Sequence, residues 1–196
     1  MVKSRDSDYS CKSKNNGENI MIRKAMIKDI DQIEQCFAEF VWYQDNHGLG
    51  TCTSYPLGVC PTVKTFKTYV LEDALYLMEQ DDEIYGFITI NRVQPDEYGE
   101  IRWKYKAKSN EVLVIDSLYI RPCKFRFGIE EEMVKFIIEE AKQMNFKTIR
   151  LHTVKQHNPL ISLYTKLGFE IAGTAHVING GLVHYLKHLF MELNIY

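Results

Sequence analysis

Apolar residues at Ile30, Ile33, Phe37, Phe40 and Val41 recur at helical spacing behind Asp29 and Asp31, either of which can cap the helix. Ile20 to Arg23 reads as a strand ahead of it, so the ordered chain opens as strand then helix. Val63, Phe66 and Val70 mark a second helix. The period then shortens: ALYLMEQ and EIYGFITINRV, separated by Asp81 and Asp82, predict an antiparallel hairpin, and EVLVIDSLYI a further strand. Ile129, Met133, Phe136, Ile137, Ala141 and Met144 form the stripe of a helix ending near Asn145, and TIRLHTV is the next strand.

Asn158 supplies an N-cap and Pro159 a first-turn proline for a helix carrying Leu160, Leu163, Tyr164 and Leu167 on one face, closed by Gly168. FEIAGTAHV and a strand near LFMEL flank the turn signal Asn179-Gly180-Gly181, although residues 182–190 also fit helical spacing. Strands interleaved with helices give an α/β chain (α+β). Residues 1–19 are polar and aperiodic, too poor in apolar area to offset their ordering entropy, and are expected to be a flexible tail before a single domain over 20–196. The Gly- and Pro-containing stretch from Tyr43 to Pro61 is long for a structureless loop, and such loops often line sites.

Composition narrows the partners. The chain of 196 residues has 24 basic and 26 acidic side chains, a near balance that leaves no field for nucleic acid or an anionic membrane. A small-molecule or peptide partner is expected, for a monomer or homodimer. Five cysteines (Cys11, Cys36, Cys52, Cys60, Cys123) lack metal-site spacing, and no long apolar run accompanies them. Free thiols in a reducing cytoplasm, with no bound metal, are the expectation.

RPCKFRFGIEEEM, residues 121–133, runs from a strand into a helix through a turn holding one glycine and then three carboxylates. IDSLYIRP before it, TIRLHT after it and above all NPLISLYTKLGF resemble the GNAT superfamily of acyl-CoA-dependent N-acetyltransferases, with the likeness extending over residues 21–196. The resemblance implies a mixed, mostly antiparallel twisted sheet of about six or seven strands with about four helices. It also implies acetyl-CoA as co-substrate, and acetyl transfer to a primary amine of a small molecule or peptide. The alternative is a catalytically decayed GNAT-fold protein that binds a ligand or partner.

Laid on the family's phosphate loop, Gln/Arg-x-x-Gly-x-Gly/Ala, the chain places Phe125, Gly128 and Glu130 at the marked positions, and Gly128 alone agrees. The implied cofactor-binding set is Leu118, Tyr119 and Ile120 on the strand, Arg126, Phe127, Gly128, Ile129 and Glu130 in the loop, and Asn158. Amides at a helix N-terminus suit a diphosphate, whereas the Glu130 carboxylate crowds and repels one. Glu131 and Glu132 read as acids complementing the helix dipole. Lys124 and Arg126 either hold phosphates or belong to a solvated loop.

Tyr164 corresponds to the tyrosine that protonates the departing CoA thiolate in the family; without the resemblance it reads as a core tyrosine. Asp116 interrupts an apolar strand, so it is either a base for the incoming amine or a structural carboxylate satisfied by backbone amides. His152, His157 and Glu111 are weaker candidates. Backbone N–H groups from Leu118 to Ile120 would hold the oxyanion. Trp42, Tyr43, Tyr55 and Trp103, with Tyr98, would wall the acceptor pocket, and Asp45, Glu97 or Glu100 would attract a cation; the same residues also fit ordinary loop packing.

Overall fold

The computed structural model describes residues 20–47, 61–125, 128–179 and 182–196. The expected tail, Tyr55, Arg126 and Phe127, and Cys11, Cys52 and Cys60 lie outside the described residues. In chain order the elements are β1 (Met21–Lys24), α1 (Ile30–Asn46), α2 (Val63–Leu71), β2 (Leu75–Gln80), β3 (Glu83–Asn91), β4 (Val112–Ile120), α3 (Ile129–Gln143), β5 (Thr148–Val154), α4 (Asn158–Lys166), β6 (Glu170–Asn179) and β7 (Leu182–Asn194). The strands form one sheet in the order β1-β2-β3-β4-β5-β7-β6, in which the β4–β5 neighbours alone are parallel.

Local chemistry fixes the joints. Asp81 and Asp82 both adopt left-handed φ, 51° and 61°, the pairing that lets a two-residue turn follow strand twist. Thr62 caps α2 by accepting from the Thr65 amide at 3.2 Å. Asp29 ties β1 to α1 by accepting from the Met26 amide and the Arg23 guanidinium, each at 2.7 Å, while Arg23 also holds Glu79 on β2. Residues 182–190, which the sequence fits to either helix or strand, are strand: β7 is hydrogen-bonded by β5 on one side and β6 on the other, so pairing decides.

Helices α3 and α4 bury Ile129, Met133, Ile137 and Tyr164 against Ile88, Ile90, Leu113 and Ile115 on one face of the sheet. On the opposite face α1 and α2 bury Ile33, Phe37, Phe40 and Phe66 against Leu77 and Phe87. The 3₁₀ turn Asp96–Glu100 brings Tyr98 down beside Ile101 onto Val112, Val114 and Phe190. Among the described residues no helix is long and apolar enough to cross a membrane.

Two irregularities in the sheet make the site. β4 pairs with β5 only from Val112–Ile115 to Thr148–Leu151; beyond that rung β4 is held by β3 and β5 by β7, so the two strands part. At the same point Thr89 faces Ser117 while Ile90 faces Ile115, leaving Asp116 as the extra residue of a β-bulge. The bulge re-phases the strand. Val112 and Val114 pack beside Tyr98, but Leu118 and Ile120 belong to the α3–α4 side, so these four do not form the single apolar face that simple alternation assigns them. Gly86 then clamps the end of β4: a Cβ there would lie 2.5 Å from Ile120 Cδ1 and 2.7 Å from the Tyr119 carbonyl oxygen.

Candidate active site

The bulge holds Asp116 half-buried, where Tyr69 of α2 donates its hydroxyl to Oδ2 at 2.7 Å. Burial pushes the carboxyl above its ordinary range, and hydrogen bonds from Tyr69 and Ser117 only partly oppose this. The partners are therefore side-chain hydroxyls, in place of the backbone amides a structural carboxylate was expected to find. Across the gap, His152 is the first β5 residue past the last shared rung, as Asp116 is on β4. The buried Tyr98 hydroxyl lies 3.2 Å from His152 Nδ1. Burial raises the Tyr98 phenol well above its usual value, and the charges it feels next most strongly come from Asp116 and Glu97.

Tyr164 occupies the other side of the sheet. It is 4% exposed, with its ring edge-on to Phe169 at 5.5 Å, and its hydroxyl has no hydrogen-bond partner among the described residues. Burial, and then the Glu130 carboxylate, push its pKa up, so it stays protonated across any working pH. Tyr98 also feels Tyr164, which places that phenol within electrostatic range of Tyr98 across the sheet.

Glu130 itself is half-buried at the start of α3 and has no cationic partner among the described residues. Its neighbours are committed elsewhere: Glu131 to Lys166 at 2.6 Å and Lys135 at 3.0 Å, Glu132 to Lys135 at 3.2 Å. Gly128 is the N-cap, at φ 74° with no side-chain cap, and the first intrahelical bond runs from Glu132 N to Gly128 O. The amides of Ile129, Glu130 and Glu131 thus keep the donor character that an anion needs. Lys124 is not a phosphate ligand as placed: its buried ammonium lies 3.7 Å from the Tyr85 ring centroid and 3.4 Å from Glu83.

Asn158 is exposed and is the first residue of α4, so it is not the cap the sequence suggests. The cap is His157, whose Nδ1 accepts from the Leu160 amide at 3.3 Å. The aromatic wall divides in two. Trp42 and Tyr43 line a groove of about 290 Å³ with Glu39, His47, Pro122 and Cys123, where Tyr43 stacks on His47 at 4.0 Å. Trp103 is elsewhere, donating to the Tyr98 carbonyl at 2.8 Å beneath the Arg150 guanidinium. Sequence reasoning missed Tyr69, whose only mark is a hydroxyl one turn from Phe66, and the pairing of Tyr98 with His152, which are 54 residues apart.

A sheet parted between two parallel strands, with an open strand edge facing a glycine-capped helix N-terminus, suits an extended acyl thioester carrying a diphosphate. Residues 27–169 match the Acetyltransferase (GNAT) family, and the chain belongs to that family. Its fold is shared by an N-acetyltransferase from Staphylococcus aureus Mu50, with a TM-score of 0.62 and 19% identity over 91% of this chain and 99% of that one. It is also shared by the PaiA N-acetyltransferase from Thermoplasma acidophilum in complex with coenzyme A, with a TM-score of 0.63 and 16% identity over 90% and 99%. A stretch of 88 residues is 30% identical to the UPF0157 protein YqkA of Bacillus subtilis (strain 168) and covers 45% of this chain but 25% of that protein, so the chain spans about a quarter of that relative's length.

Proposed function

We propose that the protein transfers an acetyl group from acetyl-CoA to a primary amine of a small molecule or peptide. The observation that carries this reading is the gap between β4 and β5, which has a protonated phenol, Tyr164, on the α3–α4 side and a carboxyl of raised affinity for protons, Asp116, on the α1–α2 side. When bound, acetyl-CoA supplies the thioester carbonyl. The chain does the rest: the β5-facing backbone edge of Leu118 to Ile120 offers donors to the carbonyl oxygen, Tyr164 protonates the departing sulfur, and Asp116 takes a proton from the amine. The amides at the start of α3 would hold the diphosphate. Trp42, Tyr43 and Glu39 in one groove, and the partly buried Trp103 in the other wall, offer two surfaces to an aromatic or cationic acceptor. The coenzyme A bound by the Thermoplasma relative supports a coenzyme A thioester as the donor here.

A second reading, a GNAT-fold binding protein without turnover, draws on Glu130 and on the commitment of Lys124 to Glu83 and Tyr85. Calorimetric titration with acetyl-CoA, followed by free-thiol detection over a panel of primary amines and peptides, separates the two. Acetyl transfer predicts saturable heat and amine-dependent thiol release. Binding without release for any acceptor would favour the second reading.

A further inference from the structure

An ammonium acceptor has to shed two protons in the proposed reaction, one to free the nitrogen lone pair and one after the C–N bond forms. As the C–S bond breaks, one proton reaches sulfur through Tyr164, which is reprotonated, and the other leaves to solvent. Asp116 accounts for one acceptor on the chain. We propose that Tyr98 and His152 form the second: the Tyr98 oxygen takes a proton from the acceptor nitrogen while its own phenolic proton passes to Nδ1 of His152. The phenol is regenerated in that step and the charge ends on imidazolium.

This inference rests on the acetyl-transfer reading and on geometry. Asp116 and His152 are the first residues past the last β4–β5 rung, so they flank the mouth of the gap. Tyr98 comes from outside the sheet, at the 3₁₀ turn Asp96–Glu100, and its hydroxyl is placed 3.2 Å from His152 Nδ1. The ring is held edge-on to Phe190 at 5.3 Å and beside Trp103, so its position is set by packing. Burial so disfavours the phenolate that Tyr98 can serve only by passing a proton on, and an imidazole is the group suited to receive it near neutral pH. Among the described residues, the charged and titratable groups around this pair include Asp116 on β4, Arg150 on the same strand as His152, His188 on β7 with its ring 5.2 Å from His152, Glu97 beside Tyr98, and Tyr164 across the sheet. His152 is thus the proton terminus, and Tyr98 is the link that hands the proton to it.

The test begins on the protein alone, without donor or acceptor. Long-range imidazole ¹H–¹⁵N spectra should show neutral His152 protonated on Nε2, with Nδ1 accepting a hydrogen bond. Because that bond stabilises neutral imidazole, Tyr98→Phe should raise the His152 titration midpoint by about 0.4 to 1 pH unit. In turnover, the acid limb of the wild-type rate profile should coincide with the His152 midpoint. His152→Asn, whose amide oxygen can still accept from Tyr98 but cannot be protonated, should abolish that limb and lower kcat about 10²-fold. Thermal melts of both variants separate loss of proton transfer from loss of fold. An Nδ1–H tautomer, an unmoved midpoint in Tyr98→Phe, or a folded His152→Asn variant that keeps both rate and acid limb would overturn the relay. If wild type releases no thiol, the catalytic role falls together with the reading beneath it, whereas failure in the spectra alone removes the relay and leaves acetyl transfer standing.

Discussion

The junctions from β4 into α3 and from β5 into α4 lie side by side and deliver helices to the same face of the sheet, yet they treat their helix N-termini in opposite ways. At α4 the end is closed: the His157 ring occupies the Leu160 amide, Pro159 removes another donor, and no acid stands in the first turn. At α3 the end is left open, with Gly128 in the left-handed region, no side-chain cap, and Glu130, Glu131 and Glu132 in the first turn. An open end keeps amide donors for a ligand, and here its acids do two different jobs. Glu131 and Glu132 are ion-paired, Glu131 reaching Lys166 of α4 and so linking the two helices. Glu130 instead presses its charge on Tyr164, the one side chain of α4 that belongs to the proposed chemistry.

The largest effect is expected where the two junctions meet. Tyr164→Phe removes a hydroxyl and keeps the ring against Phe169, so folding and acetyl-CoA binding should be nearly unchanged while turnover falls by about 10² to 10⁴. Thiol-release kinetics beside calorimetry decide it. Full activity in the variant would leave Tyr164 as a core tyrosine packed against Phe169.

A smaller effect is expected at the open end. Glu130→Ala removes a carboxylate that repels a diphosphate but complements the helix dipole, so its two consequences have opposite signs. Acetyl-CoA should bind about 3- to 30-fold more tightly, while the fold loses about 0.3 to 1 kcal/mol. Unchanged or weaker binding would clear Glu130 of any part in the contrast between the two ends. Glu132→Ala, which removes an acid already paired with Lys135, is the control and should leave affinity unchanged.

The same two junctions show what a sequence can and cannot reveal. The apolar stripes of α3 and α4, the Asp81-Asp82 turn and the glycine at 128 were legible because burial period and left-handed backbone leave a mark in residue type. The bulge at Asp116 leaves none: VLVIDSLYI reads as one alternating strand whether or not an extra residue is inserted, and the pairing with β3 is what places it. Tyr69 and Asp116 meet across 47 residues, and no local pattern reports such a contact. At α4 the stronger signal misled, since Asn-Pro is the commoner helix start, while a histidine ring one residue earlier does the capping. Lys124 fits neither of its two readings, phosphate ligand or solvated loop, because a tyrosine ring and Glu83 from β3 hold its ammonium in a buried position that no local pattern reports.

The smallest expected effect concerns the closed end, and it is pH-dependent. Burial lowers the His157 pKa below that of an ordinary imidazole, and only the neutral ring can accept from the Leu160 amide. The folded pKa is therefore below the unfolded one. The cap's contribution is fully present above the unfolded value of about 6.5 and is lost as pH falls through the folded value, because the unfolded chain takes up its proton first. His157→Ala should cost about 1 kcal/mol at pH 8, lowering the melting temperature by about 2 to 4 °C. Below the folded pKa the difference between wild type and variant should shrink, because the protonated ring no longer caps. Differential scanning calorimetry at pH 8 and in steps down to pH 5 follows both. A gap that stays constant, or widens on acidification, would mean that packing of the ring closes α4 and that its hydrogen bond does not.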